Sequence, residues 1–307
     1  MKREVLLSPA ARGRLDRALA DALGVGRAAV KDAFAAKLVR VGGRPARASD
    51  EAQPGALVEI DLALACGVPL ADSALPLAVL GEGSGWLVAD KPAGLATHPL
   101  RDGEMGTLAN AVAARYPRCA SASPEARDGG SLQRLDFETS GCVLFAKDRA
   151  AWEVLRAQLS ERTMEKTYLA LVVGRVPVEG VCSVALAQRG GRVVAVPDPL
   201  RPPRGARKPR AAETRFCLRQ QYAEHALLEV RIMTGVMHQV RAHLAFLGHP
   251  VAGDLVYGGP AAALDGLGRQ FLHASALSFE RPEGGRVRVE SPLPRELAGM
   301  LSQLEGD

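Results

Sequence analysis

Glycine and proline set the first limit on this fold: the chain holds 32 glycines and 20 prolines in 307 residues, about one residue in six. Glycine frees the backbone and proline removes a hydrogen-bond donor, so interruptions this frequent shorten regular elements and demand many turns. A loop-rich, strand-containing body is expected. Hydrophobic residues make up 47% of the chain, enough for a sizeable core. None of their runs reaches the ~18–20 consecutive apolar residues of a membrane span. The length suits two domains at roughly 100–200 residues each. The opening MKREVLLSPAARGRLDR returns to charge before an apolar signal core forms, so no secretory signal is expected. Cys66, Cys119, Cys142, Cys182 and Cys217 are odd in number, widely spaced and form no CxxC pair. That disfavours a disulfide framework or a zinc ribbon and favours a reducing cytoplasm.

The formal net charge of +5 is unevenly placed. Residues 1–47 carry eleven Lys/Arg against Glu4, Asp16, Asp21 and Asp32, and the remainder is slightly acidic. A basic module in front of a near-neutral body points to a polyanionic partner. Leu15, Leu19 and Leu23, and then Val30, Phe34 and Leu38, recur at helical spacing, with Gly24 and Gly26 between them. Val39 and Val41 run into a Gly42-Gly43 turn, and residues 57–60 form a later strand. Arg27 and Lys31 lie four apart and share a helix face, while Val30 and Phe34 turn inward. Residues 63–76 read as a linker. The next strands, 77–80 and 86–89, flank a GxGxG cluster with no following helix and no Lys-Ser/Thr, which fits a hairpin turn and not a nucleotide loop. ATP- and NAD-driven chemistry thus lacks its motifs, and no cofactor is expected. Helices are expected over 108–116 and 150–159, the latter with Trp152, Leu155 and Leu159 inward. A strand is expected over 168–173. Residues 201–210, RPPRGARKPR, combine five cations with three prolines and cannot form a regular helix; they suit a flexible strap on phosphates.

Three constellations carry chemistry. In Gln133-Arg134-Leu135-Asp136-Phe137-Glu138-Thr139-Ser140-Gly141, an extended backbone puts Arg134 and Asp136 on one face. A carboxylate beside a guanidinium stays ionised when partly buried, which suits a nucleophile or a base. Residues 234–258 mix polar and apolar positions densely. His238 and His243 are five apart, the wrong spacing for paired ligands on one helical face, so no metal site is expected. Gln239, Arg241 and His243 bracket a helix start from which a guanidinium can meet a distant carboxylate. In Glu165-Lys166-Thr167-Tyr168, Lys166 and Tyr168 share a strand face, and the tyrosine can stack on a base.

Taken together, VADKPAGLATHP (88–99), QRLDFETSG (133–141), EKTYLALVVG (165–174), TGVMHQVRAHLAFLGHPVAGDLVYG (234–258) and LHASALSF (272–279) resemble the RluA family of pseudouridine synthases. The stretch 14–61 resembles an S4 RNA-binding domain. The resemblance implies that Asp136 is the catalytic aspartate and that Tyr168 lies against the uracil. It also implies that Arg241 pairs with the aspartate and that Arg134 helps displace the target nucleotide from its stack. Gln133, Thr139, His238 and Gln239 are then candidate substrate contacts. Arg14, Arg27, Lys31, Arg40 and Arg44, with Arg204, Arg207 and Lys208 of the strap, are candidate RNA contacts. The sequence departs from the family where Gln133 replaces a usual His, Val236 a common Arg, and Gly26 a typical Ser.

The expected fold is α+β: a pseudouridine-synthase-like body on a mixed, mainly antiparallel sheet with flanking helices, plus a small N-terminal S4-like α/β domain. The expected domains are 1–62 (S4-like), 63–76 (linker) and 77–307 (catalytic). The expected function is cofactor-free isomerisation of uridine in structured RNA by base flipping, with 23S ribosomal RNA as the target and a cytoplasmic, membrane-independent monomer as the agent. Transfer RNA is the alternative substrate, and an inactive RNA-binding assembly factor is the rival from another class. A glycosidase would need a second acid, for which Glu138 is the nearest residue.

Overall fold

A computed structural model of the chain describes residues 2–23, 27–35, 37–61, 67–101, 103–262 and 264–306; the side chains of residues 2, 3, 27–29, 32, 61, 260, 261 and 306 are outside that description. The expectations for Gly26, Cys66 and the Arg27 side chain therefore lie outside the described residues. The chain gathers into two compact units that do not follow sequence order: residues up to Pro76 with His98–Gly130, and Leu77–Thr97 with Ser131 onward.

The first unit contains β1 (Lys2–Leu6), α1 (Leu15–Leu23), α2 (Arg27–Ala35), β2 (Val39–Val41), β3 (Arg44–Pro45) and β4 (Leu57–Asp61). Its strands pair in the order β1-β4-β2-β3. Leu15, Leu19, Val30 and Phe34 meet Val39, Val58 and Ile60 in one buried cluster, as the helical spacing requires. Strand β1 escapes the sequence reading because its residues are mostly charged. It is an edge strand held by backbone pairing to β4, where charged side chains are tolerated. The same unit includes α3 (Leu108–Arg115), whose cap Thr107 and Asn110 satisfy each other reciprocally. Residues 67–76 are not a free tether. Asn110 Nδ2 donates to Leu70 O at 2.8 Å, and the Asp72 N–H donates to Asn110 O at 3.0 Å.

The second unit is built on β5 (Ala78–Glu82), β6 (Trp86–Lys91), β7 (Ser140–Ala146), α4 (Arg149–Glu161), β8 (Glu165–Val173), β9 (Glu179–Cys182), β10 (Ala185–Arg189) and β11 (Arg192–Val196). It continues with β12 (Thr214–Gln221), β13 (His225–Ile232), α5 (Gln239–Phe246), β14 (Leu272–Glu280), β15 (Arg286–Glu290) and α6 (Arg295–Gly306). Among the described residues, β5-β6-β7-β14-β8-β13-β12-β9 form a nine-stranded sheet, with β15 added on β14. Among the described residues only the β7–β14 pair is parallel, so the sheet is mixed and mainly antiparallel, as expected. β10 and β11 form a separate two-stranded ribbon.

Helix α4 starts at an Asp148 cap and covers the sheet with Ala151, Leu155 and Gln158, while Trp152 and Leu159 are only half-buried. The expected inward face is thus rotated. The cause is Gln158, whose Nε2 donates to Glu280 O at 2.7 Å and whose Oε1 accepts the Glu280 N–H at 2.8 Å. That exchange satisfies the end of β14, so a polar residue takes a buried position.

Gly141 fixes the start of β7. Its φ is +115°, and a Cβ there would stand 2.2 Å from the Ala274 carbonyl oxygen, its partner across the parallel junction. Only glycine allows that approach, and it pins the loop that precedes β7. Gly141→Ala should lower unfolding free energy by about 3 kcal/mol or more, read from denaturant titration. A change below about 0.5 kcal/mol would show that the junction relaxes freely.

Candidate active site

Residues Gln239 to Leu244 of α5 are all buried. A helical stretch with no solvated face must satisfy every polar side chain inside the protein. His243 does so through Thr214 Oγ1 at 2.8 Å and Val184 O at 2.9 Å, a satisfied core histidine. Gln239 accepts from Thr234 Oγ1 and the Val236 N–H and donates to Glu213 O and Thr214 Oγ1. Its amide is therefore committed to the framework, which leaves it little to offer a substrate.

Arg241 is the remaining polar group, with a side chain 6% exposed. Its Nε and Nη2 donate to the two oxygens of Asp254 at 2.7 and 2.9 Å, and its Nη1 donates to Asp136 Oδ2 at 2.8 Å. Asp254 is itself fully buried, and its Oδ1 also accepts the Val256 and Tyr257 N–H groups. Burial opposes the charge on Arg241, but the hydrogen bonds it donates to Asp254 and Asp136 outweigh it and raise the guanidinium pKa. Asp136 is partly open, its side chain 22% exposed. Its guanidinium partner is thus Arg241, 105 residues away, and not its neighbour Arg134, which is exposed.

The turn that carries Asp136 is held by two further cations. Lys91, at the end of β6, is 0% exposed, and its Nζ donates to Pro92 O, Leu95 O and Phe137 O at 2.9, 2.6 and 3.0 Å. Arg269 donates through Nη1 to Glu138 O at 2.9 Å and pairs with Glu296 of α6 at 2.7 Å. The Thr139 N–H closes the turn onto Asp136 O at 3.0 Å, and Thr139 Oγ1 accepts from Gln270. Thr139 is buried and serves the turn. Burial drives Lys91 down to about 8, against the opposing charges of Asp136 and Glu138.

Tyr168 is buried on β8, and burial, followed by the charges of Asp136 and Cys142, raises its phenol pKa. His238 caps α5 with a left-handed φ of 54°, uncommon for a residue other than glycine. Its Nε2 lies 3.8 Å from Asp136 Oδ1, and its Nδ1 is 2.9 Å from the Tyr257 hydroxyl. Burial, with help from Arg241 and Arg134, pushes the imidazole below its ordinary range although Asp136 opposes this. Both amide atoms of Gln133 are buried and find no hydrogen-bond partner among the described residues.

The candidate RNA contacts are mostly at the surface. Arg14 forms a two-pronged pair with Asp16 at 3.1 Å, while Lys31, Arg40 and Arg44 are exposed. Arg204, Arg207 and Lys208 are exposed too. Their segment is not the loose strap expected, because the Arg207 and Arg210 backbones bond to β10. Among the described residues no group of His, Cys, Asp and Glu is placed to hold a metal ion, and no helix is long and apolar enough to cross a membrane.

Sequence reasoning missed Asp254, Lys91, Arg269 and Tyr257. Asp254 and Tyr257 stood in a recognised block without a role. Lys91 stood in another of these blocks, VADKPAGLATHP (88–99), also without a role, and Arg269 carries no local signal.

The signature of RNA pseudouridylate synthases matches residues 85–246, which hold both Asp136 and Arg241. An uncharacterized RNA pseudouridine synthase of Chloroflexus aurantiacus is 36% identical over 95% of this chain and 90% of its own. The ribosomal large subunit pseudouridine synthase D of Xanthomonas campestris is 37% identical over 86% of this chain and 80% of its own. Human RNA pseudouridylate synthase domain containing 1 shares the fold, with a TM-score of 0.56 at 24% identity over 77% of this chain and 97% of its own. The chain belongs to the RNA pseudouridylate synthase family, and it is an enzyme of that class.

Below about 8 the Lys91 ammonium supplies a donor to each of its three carbonyls; above it the amine keeps only two, and the Asp136 turn loosens. The kcat–pH profile should therefore fall as pH rises through about 8. Lys166 is also lowered to about 8 but bonds Thr234 O, so Lys166→Met should keep this limb. A wild-type profile flat up to pH of about 9.5 would contradict the assignment.

Proposed function

We propose that the chain isomerises uridine to pseudouridine in structured RNA, with large-subunit ribosomal RNA as the target. The observation that carries this reading is the half-open Asp136 carboxylate bound by the buried Arg241 guanidinium. The reaction breaks the N1–C1′ bond, forms C5–C1′ and moves the C5 proton to N1, so no atom or electron is gained or lost. A group that engages C1′ and then releases it meets that need, and Asp136 is placed to be that group. Arg241 aims it. Tyr168, kept protonated by burial, supports the uracil face as a neutral phenol.

The target uridine must leave its stack, at a cost of a few kcal/mol. Exposed Arg134 beside Asp136 is the candidate to occupy the vacated space. The unpartnered Gln133 amide costs about 1–3 kcal/mol as it stands, which a nucleotide edge would offset. His238 is the other substrate contact in this reading. Residues 1–62 act as the S4-like RNA-binding domain, with Arg14, Arg27, Lys31, Arg40 and Arg44 as its phosphate contacts; 63–76 join it to the catalytic domain 77–307. The ribosomal target is supported by the name of the Xanthomonas campestris relative, and the same name is borne by a relative from Pseudomonas aeruginosa at 33% identity.

The test is pseudouridine mapping after purified protein meets ribosomal RNA from a strain lacking the gene. Wild type should modify it, and Asp136→Asn should lose at least about 10³-fold in rate. An Asp136→Asn enzyme as active as wild type would remove the assigned role. Modification of transfer RNA alone would change the target and leave the reaction standing.

A further inference from the structure

Residues 185–210 carry seven Lys/Arg against one acid, Asp198, a denser basic cluster than the N-terminal segment. Two of the cations, Arg189 and Arg192, lie on the β10–β11 ribbon itself and five in 201–210. The later segment adds a third edge to that ribbon. Leu186 and Arg210 exchange both backbone hydrogen bonds at 2.9 and 2.8 Å, and the Arg207 N–H donates to Gln188 O at 2.8 Å. The ribbon is two-faced. Leu186 and Val193 are buried with Ala212 and with Ala242 of α5, the helix that holds Arg241. Arg189, Arg192, Arg204, Arg207, Lys208 and Arg210 are exposed.

Tyr257 joins this ribbon to the candidate site. The Arg192 guanidinium lies over its ring at 5.3 Å and donates to the adjacent Val256 carbonyl. The Arg241 guanidinium lies 5.2 Å from the same ring. The Tyr257 oxygen accepts the Val193 N–H at 3.0 Å, so its own O–H is free to donate to His238 Nδ1 at 2.9 Å. With the Tyr257 O–H as the donor, the imidazole proton is on Nε2, on the side of Asp136 Oδ1, the oxygen that Arg241 does not bind.

We propose that the ribbon is an RNA-docking arm whose basic edge takes the phosphate backbone flanking the extruded uridine, and that Tyr257 carries the docked position to His238 and Asp136. The arm contains no aromatic residue to anchor a protein partner, and its cations outnumber its acid sevenfold. Phosphates match that surface. Tyr257 touches no substrate in this scheme and is a positioning residue. The proposal rests on Asp136 being the catalytic carboxylate.

Two variants and their combination test it. Arg204→Ala with Arg207→Ala and Lys208→Ala should reduce the slope of log affinity for ribosomal RNA against log salt by about 2 and raise KM about 10-fold. Tyr257→Phe keeps the ring and both stacked guanidiniums; it should lower kcat about 10-fold with KM nearly unchanged and its melting temperature near wild type. The combined variant should lose less in kcat/KM than the product of the separate losses, because the two act through one path. An unchanged salt slope overturns the docking surface, and strictly multiplicative losses overturn the transmission. If Asp136→Asn stays active, the catalytic reading fails on its own, while the salt slope still decides whether the arm holds RNA.

Discussion

The buried pair between Arg241 and Asp254 is the interaction on which the candidate site depends. Asp254 takes Nε and Nη2 of the guanidinium, and the third nitrogen, Nη1, reaches Asp136. A planar guanidinium held on one side by a bidentate carboxylate has no freedom to turn, so the direction of its remaining nitrogen is set. Asp254 is fixed in turn by two backbone N–H groups. Such pairs add little net stability against an apolar replacement, but removing one partner strands a charge and costs about 3–5 kcal/mol. Their value here is direction.

The Asp136 turn has no helix or strand of its own to hold it, and the protein surrounds it with fixed groups instead. Lys91 binds the Phe137 carbonyl and Arg269 the Glu138 carbonyl. Gly141 closes the far end against β14. These groups come from β6, from the segment before β14 and from β7, so the turn is built where strands distant in sequence converge. Preorganisation of this kind lets a reacting carboxylate keep its position without rearrangement during the reaction.

Much of this was legible in the sequence, and the reasons for the rest are physical. Helices α1, α2, α3 and α4 and the β5–β6 hairpin follow from hydrophobic spacing and glycine turns. The β1 edge strand does not, because its side chains are charged and its pairing is backbone to backbone. Gln158 turned the face of α4 because a backbone end needed partners, which no apolar pattern records. Asp136 and Arg241 were found through their motifs. The local reading placed Arg134 beside Asp136, and the resemblance paired Asp136 with Arg241; the contact present is the second, across 105 residues. Asp254 and Arg269 reach the site through bonds to Arg241 and to the Glu138 carbonyl, 13 and 131 residues away, so their roles appear only once the chain is folded.

Steady-state kinetics of Asp254→Asn on ribosomal RNA test this account most directly, because Asp254 reaches Asp136 through Arg241. With the guanidinium no longer clamped, kcat should fall about 100-fold while KM stays near the wild-type value. A kcat equal to wild type in the folded variant would contradict the claim that this buried pair aims Asp136.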